Sequence, residues 1–267
     1  MQNEKAAPPL VSIVTPSFNQ AKYIERTILS VANQDYPNIE HIVVDGGSKD
    51  GTLGILGKFS GLRYISEPDS GQTNAINKGL RMANGEIIGW LNSDDTYCPG
   101  AVKAAVEYLL SHPDVDLVYS NINIVDKEDK RIRGSFIFPY SQFVQLNVDN
   151  CIPQPSVFFR KGILPDVGFL DEKLNYVMDY EFWLRVGQKR KIAMMSGTYA
   201  NFRIAKGTKT CEKYDDFFNE ILSVNKKYGG FPHLWLAGRF ARRFLGGLGL
   251  VGAARSVKNN LHRLAGR

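Results

Sequence analysis

EIIGWLNSDDTY, residues 86–97, drives an apolar run straight into Asn92, Ser93 and the adjacent carboxylates Asp94 and Asp95. Ile87, Ile88, Gly89, Trp90 and Leu91 have the β-branched and aromatic character of a buried strand. Two neighbouring carboxylates repel each other and are costly to desolvate, so something must compensate them. A turn open to water would do so, and so would a bound cation.

The stretches around this one set the architecture. A helix from about Gln72 to Met82 precedes it, and before that a strand, Leu62–Ser66, stops at Glu67-Pro68. Earlier still, Leu10–Thr15 is a short apolar strand ending at Pro16, and Ile24, Ile28 and Val31 mark a helix by their steps of four and three. Glu40–Val44 then leads into the turn-rich DGGSKDGT and the apolar Leu53, Ile55, Leu56 and Phe59. Strands alternating with helices at this spacing predict an α/β fold, a doubly wound and mostly parallel sheet. In such sheets ligands bind beyond the carboxyl ends of the strands. Thr15, Pro16, Ser17 and Asn19 therefore share one crevice with Asp45, Gly46 and Gly47 and with Asn92–Asp95. The first strand is followed by TPSFNQ, neither GxGxxG nor a P-loop, which excludes those two nucleotide-binding classes.

Downstream the pattern is less regular. Val115–Ser120 and Ile122–Val125 read as two strands, DKEDKR as a turn before a strand ending near Phe138, and QPSVFFR (154–160) as another strand. VMDYEFWLRV (177–186) puts Asp179, Phe182, Trp183 and Val186 on one helical face. Asp is also favoured as an N-cap, and spacing alone does not separate a capping Asp179 from a functional one.

Composition narrows the class. At 267 residues and 43% hydrophobic the chain is long enough for one substantial core. Cys98, Cys151 and Cys211 are odd in number and lack CxxC spacing, and the four histidines lack zinc spacing, so reduced thiols in a cytoplasmic protein are expected. MQNEKAAPPL has no secretion-signal pattern, and no run of about 20 apolar residues predicts a membrane span. The net charge of +6 hides an asymmetry: nine Lys and Arg and no acid follow Glu220, leaving the body at −3.

Six stretches together carry a resemblance: SIVTPSFNQ, VVDGGSKDGT, SEPDSGQTNAINKGL, GWLNSDDTY, QPSVFFR and MDYEFWLR. In their order and spacing they resemble the inverting family 2 glycosyltransferases of GT-A fold, over roughly residues 10–205. The implied layout is an extension (1–9), a catalytic domain (10–210) and a helical basic tail (211–267). The domain divides into a nucleotide-sugar half (10–96) and an acceptor-side half (97–210).

The resemblance implies roles residue by residue. Thr15 and Pro16 match the turn holding base and ribose, and Asp45 the acid that contacts them; Gly46 stands where a second Asp is common. Asp50 reads as a cap for the next helix. Asn74 and Lys78 fall in the segment lining donor phosphates and sugar, although Lys78 equally suits a solvated helix face. Asn92, Ser93 and Asp94 occupy the DxD position, with Asp94 as ligand to Mn2+ or Mg2+, hard ions that accept carboxylate and phosphate oxygens together. Asp179 matches the general base, Glu181 would orient the acceptor, and Gln154 would shape the acceptor side unless it is a structural loop residue. Arg203 and Lys206, with Lys209, would form a mobile cover over the phosphates.

The implied function is transfer of a sugar from a nucleotide-diphosphate donor, UDP- or dTDP-linked, to a hydroxyl of a growing glycan or lipid-linked saccharide. Two rivals remain open: a polyprenyl-phosphate glycosyltransferase, and a non-catalytic sugar-nucleotide-binding or scaffold protein. In the tail, Leu236, Phe240, Phe244, Leu248 and Val251 form an apolar stripe opposite Arg239, Arg242 and Arg243. This amphipathic basic pattern suits an anionic membrane surface, reached by residues 231–267 at the inner face of the membrane, or a helix packed on the body. No nucleic-acid-binding module accompanies the charge.

Overall fold

The computed structural model describes residues 7–135, 137–204, 214–235 and 237. One nine-stranded sheet organises them, in the order β3-β2-β1-β4-β8-β6-β9-β5, with β7 paired to β6. The first half alternates as expected: β1 (Val11–Ser17), α1 (Ile24–Ala32), β2 (Ile39–Asp45), α2 (Thr52–Leu56), β3 (Arg63–Ser66), α3 (Gln72–Met82) and β4 (Ile87–Trp90). These four strands pair in parallel. The second half comprises β5 (Thr96–Tyr97), α4 (Ala101–Ser111), β6 (Leu117–Val125), β7 (Arg131–Gly134), α5 (Gln142–Asn147), β8 (Phe158–Arg160), α6 (Leu164–Val167), α7 (Met178–Lys189), β9 (Ile192–Arg203) and α8 (Tyr214–Lys227). Here β8 lies antiparallel between β4 and β6, while β6 and β9 run parallel.

Both faces of the sheet are covered at its centre, so β1 and β4 are buried along their whole length, while β3 and β7 at the margins are largely exposed. Val14, Ile88, Trp90, Leu117 and Tyr119 pack on one face with α3 and α7. Val11, Ile13, Ile87 and Val118 pack on the other with α4. A Cβ on Gly79 would lie 2.4 Å from Val14 Cγ1, so glycine lets α3 approach β1 closely. Pro16 does not end β1. The strand continues to Ser17 alongside β2, but on the β4 side pairing stops at Val14–Trp90, where the missing N–H of Pro16 costs no ladder bond. The two strands expected over 115–125 are one, β6, whose register shifts at Asn121 absorb the irregularity as a bulge.

The boundary expected after residue 210 does not release a free tail. Ile221 and Val224 of α8 and the buried Trp235 pack with Val177, Tyr180 and Leu184 of the α7 region. Residues 214–235 are thus part of the body. The stripe Leu236, Phe240, Phe244, Leu248 and Val251 lies outside the described residues. Among the described residues no helix is long and apolar enough to cross a membrane.

Trp235 is 2% exposed and its ring meets Tyr180 edge-on, with centroids 6.3 Å apart. Trp235→Ala should therefore cost about 3–5 kcal/mol in denaturant unfolding. A chain ended at residue 230 should lose a similar amount relative to one ended at 237. Equal stability of the two shortened chains would contradict this packing.

Candidate active site

The carboxyl ends of β1, β2 and β4 bring the expected clusters to one edge of the sheet. Asp45 closes β2, wholly buried, and its carboxylate organises the loop after it. The Gly47 and Ser48 N–H groups donate to it at 3.1 and 2.8 Å, the Ser66 hydroxyl at 2.7 Å, and the Ser48 hydroxyl also bonds to it. The lone pairs expected to meet a base or ribose are thus already committed to the loop. Asp50 accepts from the Thr52 N–H at 3.1 Å and the Ala21 N–H at 2.9 Å, tying the loop after β1 to the start of α2, whose N-cap is Gly51. The Thr15 hydroxyl lies 2.9 Å from His41 Nε2 beneath the loop. Burial pushes that imidazole down to about 3, so it is neutral.

Gly46 acquires a physical explanation. A Cβ there would stand 2.8 Å from Asp69 Oδ2, so a carboxylate from the α3 side occupies the space a side chain at 46 would need. The Gly71 N–H holds Asp69 at 2.8 Å. Sequence reasoning passed over Asp69, whose only local signal is an Asp two residues before a glycine.

The turn after β4 answers the question its sequence raises. Thr27 Oγ1 of α1 lies 2.9 and 2.8 Å from the carbonyls of Ser93 and Asp95. Gln72 Nε2 and Trp90 Nε1 each donate to Asn92 Oδ1 at 3.0 Å. Asn92 Nδ2 donates to Gln154 Oε1 at 2.8 Å, and Gln154 Nε2 to the Trp90 carbonyl at 2.6 Å. Asn92 and Gln154 therefore brace the turn. Of the two readings of Gln154, the structural one describes its contacts.

Arg203 is the compensating charge. It is 2% exposed, at the end of β9. Its backbone N–H donates to Asp95 Oδ1 at 2.9 Å and its Nε to the Asp94 carbonyl at 2.8 Å. Nη1 reaches the Asp126 carbonyl at 2.8 Å, Nη2 pairs with Asp129, and the guanidinium stacks 4.7 Å from the Tyr23 ring centre. The expected mobile phosphate cover is overturned for this residue: a side chain bonded on every side is a fixed strut. Lys206 and Lys209 lie outside the described residues.

Asp95 is 1% exposed with Oδ2 unpartnered, and burial, then the neighbouring Asp94 charge, push its carboxyl well above the usual range. Burial also raises Asp94, partly opposed by Arg203, and its carboxylate stays partly exposed. Two adjacent acids that share only the nearby charge of a guanidinium paired elsewhere, one with a buried orphan oxygen, fit a divalent cation. Among the described residues no three His, Cys, Asp or Glu converge as a metal cluster, so a cation here would take most of its oxygens from elsewhere.

The strand that carries this turn also contacts α7. Trp183 packs on Trp90 with ring centres 6.3 Å apart, tying the helix to the strand that carries the acidic turn. Asp179 is in the first turn, partly exposed, and burial raises its carboxyl to about 6. The residue before the helix is Val177, so Asp179 is not the N-cap. Glu181 does not orient an acceptor. It is 1% exposed, and Arg185 Nε, Lys227 Nζ and the Tyr228 hydroxyl bond to it at 2.9, 3.3 and 2.6 Å. Asn74 donates to Glu172 at 2.9 Å, and Lys78 to Glu67 at 2.6 Å.

The family model described as Glycosyl transferase family 2 matches residues 12–167, which include the Asp45 loop and the Asp94–Asp95 turn and end before Asp179 and Arg203. The chain belongs to that family. A Rickettsia typhi protein described as an uncharacterized glycosyltransferase is 32% identical over 193 residues, covering 66% of this chain. The chain spans only 58% of that relative's length. Among solved structures, S. aureus TarS 1-349 in complex with UDP-GlcNAc is similar at TM-score 0.66 and 23% identity, covering 81% of this chain and 65% of that one. The mannosyltransferase PcManGT from Pyrobaculum calidifontis, in complex with GDP-Man and Mn2+, is similar at TM-score 0.64 and 18% identity, covering 98% and 82%. These identities show a shared fold, the GT-A type expected from the sequence.

Removing the strut leaves the buried Asp95 and the partly exposed Asp94 with no cation nearby. Arg203→Met should destabilise the protein by about 3–5 kcal/mol in denaturant unfolding. Arg203→Lys should recover only part of that, because an ammonium restores charge but not the planar set of donors. Full stability in Arg203→Met would show that the turn is compensated by other groups.

Proposed function

We propose that the chain is a nucleotide-sugar glycosyltransferase that moves one sugar, with inversion, to a hydroxyl of a growing glycan or lipid-linked saccharide. The observation that carries this reading is the braced Asp94–Asp95 turn at the carboxyl edge of the sheet, tied through the Trp90–Trp183 contact to the helix that begins with Asp179, an acid whose burial raises it to about 6. Neighbours of the same fold in complex with UDP-GlcNAc and GDP-Man support a nucleotide-sugar donor.

In this reading the loops after β1 and β2, held by Thr15, Pro16 and Asp45, receive the nucleotide. The N-terminal turn of α3, with Asn74 and Lys78, lines the diphosphate and sugar. Asn92 and Ser93 keep the Asp94 carboxylate presented at the crevice. Asp94, with Asp95 beneath it, would hold Mn2+ or Mg2+, which when bound neutralises charge gathering on the departing diphosphate. Asp179 takes the proton from the acceptor hydroxyl as that oxygen approaches the anomeric carbon from the face opposite the diphosphate. A single displacement inverts the carbon and needs no covalent intermediate. Direct transfer to a hydroxyl, which benefits from a base, is favoured over a phosphate acceptor by the elevated carboxyl of Asp179. The basic segment from residue 231 onward would bring the site to an anionic membrane surface.

Asp94→Asn should abolish manganese-dependent binding of UDP-GlcNAc or GDP-mannose while leaving the melting transition intact. Normal turnover of that variant with manganese would remove Asp94 from the metal site.

Asp179→Asn should retain donor binding and lose about 10²–10⁴-fold in transfer. The wild-type rate should rise with pH through about 6 to a plateau, as the carboxyl that burial raises becomes the active carboxylate. Stability runs the other way. A folded value above the unfolded value of about 3.9 means that the charged form opposes folding, so stability falls as pH rises through that window. Asp179→Asn should consequently be more stable by about 1–3 kcal/mol at pH 8, a gain that vanishes below about pH 4. A variant equally stable at both pH values, or one with unchanged transfer, would contradict the assignment.

A further inference from the structure

The loop that delivers Asp179 is held from outside the matched family segment. Residues 174–177 enter α7, whose preceding residue, Val177, has no side chain that caps the helix. The N–H groups of the loop ahead of the helix have no place in its hydrogen-bond ladder, and a carboxylate is a strong acceptor for them. That carboxylate comes from α8, more than forty residues downstream. Glu220 accepts from the Asn175 N–H at 2.9 Å, the Tyr176 N–H at 2.8 Å and the Val177 N–H at 3.2 Å. On the opposite side the loop is stitched to α3, where the Thr73 hydroxyl donates to the Leu174 carbonyl at 2.8 Å. Gly71, at the start of α3, lies against Asn175.

We propose that Glu220 is the positioning residue for Asp179: a carboxylate of α8 that clamps the entry loop of α7 and so fixes its first turn relative to α3. The proposal rests on the reading of Asp179 as base. Three N–H groups converging on one carboxylate fix the path of the backbone two residues before Asp179. A base must sit within hydrogen-bond reach of the proton it takes, so an ångström of drift at this turn lowers the transfer rate without weakening donor binding. The second grip of α8 on α7, the Tyr228 hydroxyl on Glu181, lies toward the far end of α8. It anchors the helices without touching the peptide groups before Asp179.

This separation supplies the control. Glu220→Ala, Glu220→Gln, Tyr228→Phe and Asp179→Asn are made in the full chain. Transfer to water is measured with manganese and either UDP-GlcNAc or GDP-mannose, whichever gives the larger thermal shift, and backbone amide exchange is followed at 175–177. Glu220→Ala should lower kcat at least tenfold with the donor KM within twofold, and the three amides should exchange at least tenfold faster. Glu220→Gln, which keeps one carbonyl oxygen, should fall between it and wild type. Tyr228→Phe should leave both readouts within twofold of wild type even where its melting temperature drops. An inactive Asp179→Asn beside an unimpaired Glu220→Ala would overturn the positioning role alone. So would unchanged exchange at 175–177, or an equal fall of kcat in Tyr228→Phe. Full turnover by Asp179→Asn would overturn the base assignment and the positioning role with it.

Discussion

The carboxyl edge of the sheet depends on one residue: Arg203, buried at the end of β9, whose N–H holds the Asp95 carboxylate and whose Nε holds the Asp94 carbonyl. The guanidinium itself pairs with Asp129 and lends Asp94 and Asp95 only its nearby charge, and the unpartnered Asp95 Oδ2 marks an acid left without a direct counter-charge. Arg203 also pins the β6–β7 hairpin through Asp126 and Asp129, and Arg26 of α1 joins at Asp129 at 2.6 Å. The turn is thereby held by α1, α3, β9 and the segment carrying Gln154. A site that must receive a highly charged diphosphate gains from donors and acids fixed before it arrives, since no reorganisation is then needed at the moment of reaction.

The second constraint is the placement of Asp179 at the start of α7. A carboxylate in the first turn of a helix is favoured by the helix dipole, yet here burial outweighs that effect and raises the group to about 6. The same desolvation makes the acid a stronger proton acceptor and lowers the stability of the folded chain at neutral pH. That the cost is tolerated is a reason to look for function there. The neighbouring Glu181 shows the contrast. It is more deeply buried, but Arg185, Lys227 and Tyr228 surround it, so it is an anchor for α8.

Most of the first half was legible because it rests on local signals. The α3 helix runs from Gln72 to Met82 as the pattern predicts, β2 is longer than expected by a residue at each end, and β4 stops one residue short of Leu91. What escaped is non-local. Arg203 meets Asp94 and Asp95 across more than a hundred residues, and nothing in NFRIAKGTKT distinguishes a strut from a phosphate ligand. Asp69 filling the space above Gly46, and Trp235 beneath α7, likewise follow only from how the elements meet. Glu181 was misassigned because sequence proximity to Asp179 says little on a helix, where residues two apart point in different directions.

The central claim is that this edge binds a nucleotide-diphosphate sugar together with a divalent cation. The most direct measurement is the melting temperature of the full chain with UDP-GlcNAc, GDP-mannose and the corresponding diphosphates, each with manganese and with a chelator. A ligand at about 100 times its Kd stabilises the native state by about 2.7 kcal/mol. For a body of this size that corresponds to a rise of roughly 5–10 °C. The account predicts such a rise for at least one nucleotide with manganese present and its loss on chelation. A rise that persisted unchanged in chelator, or no rise with any nucleotide, would contradict it.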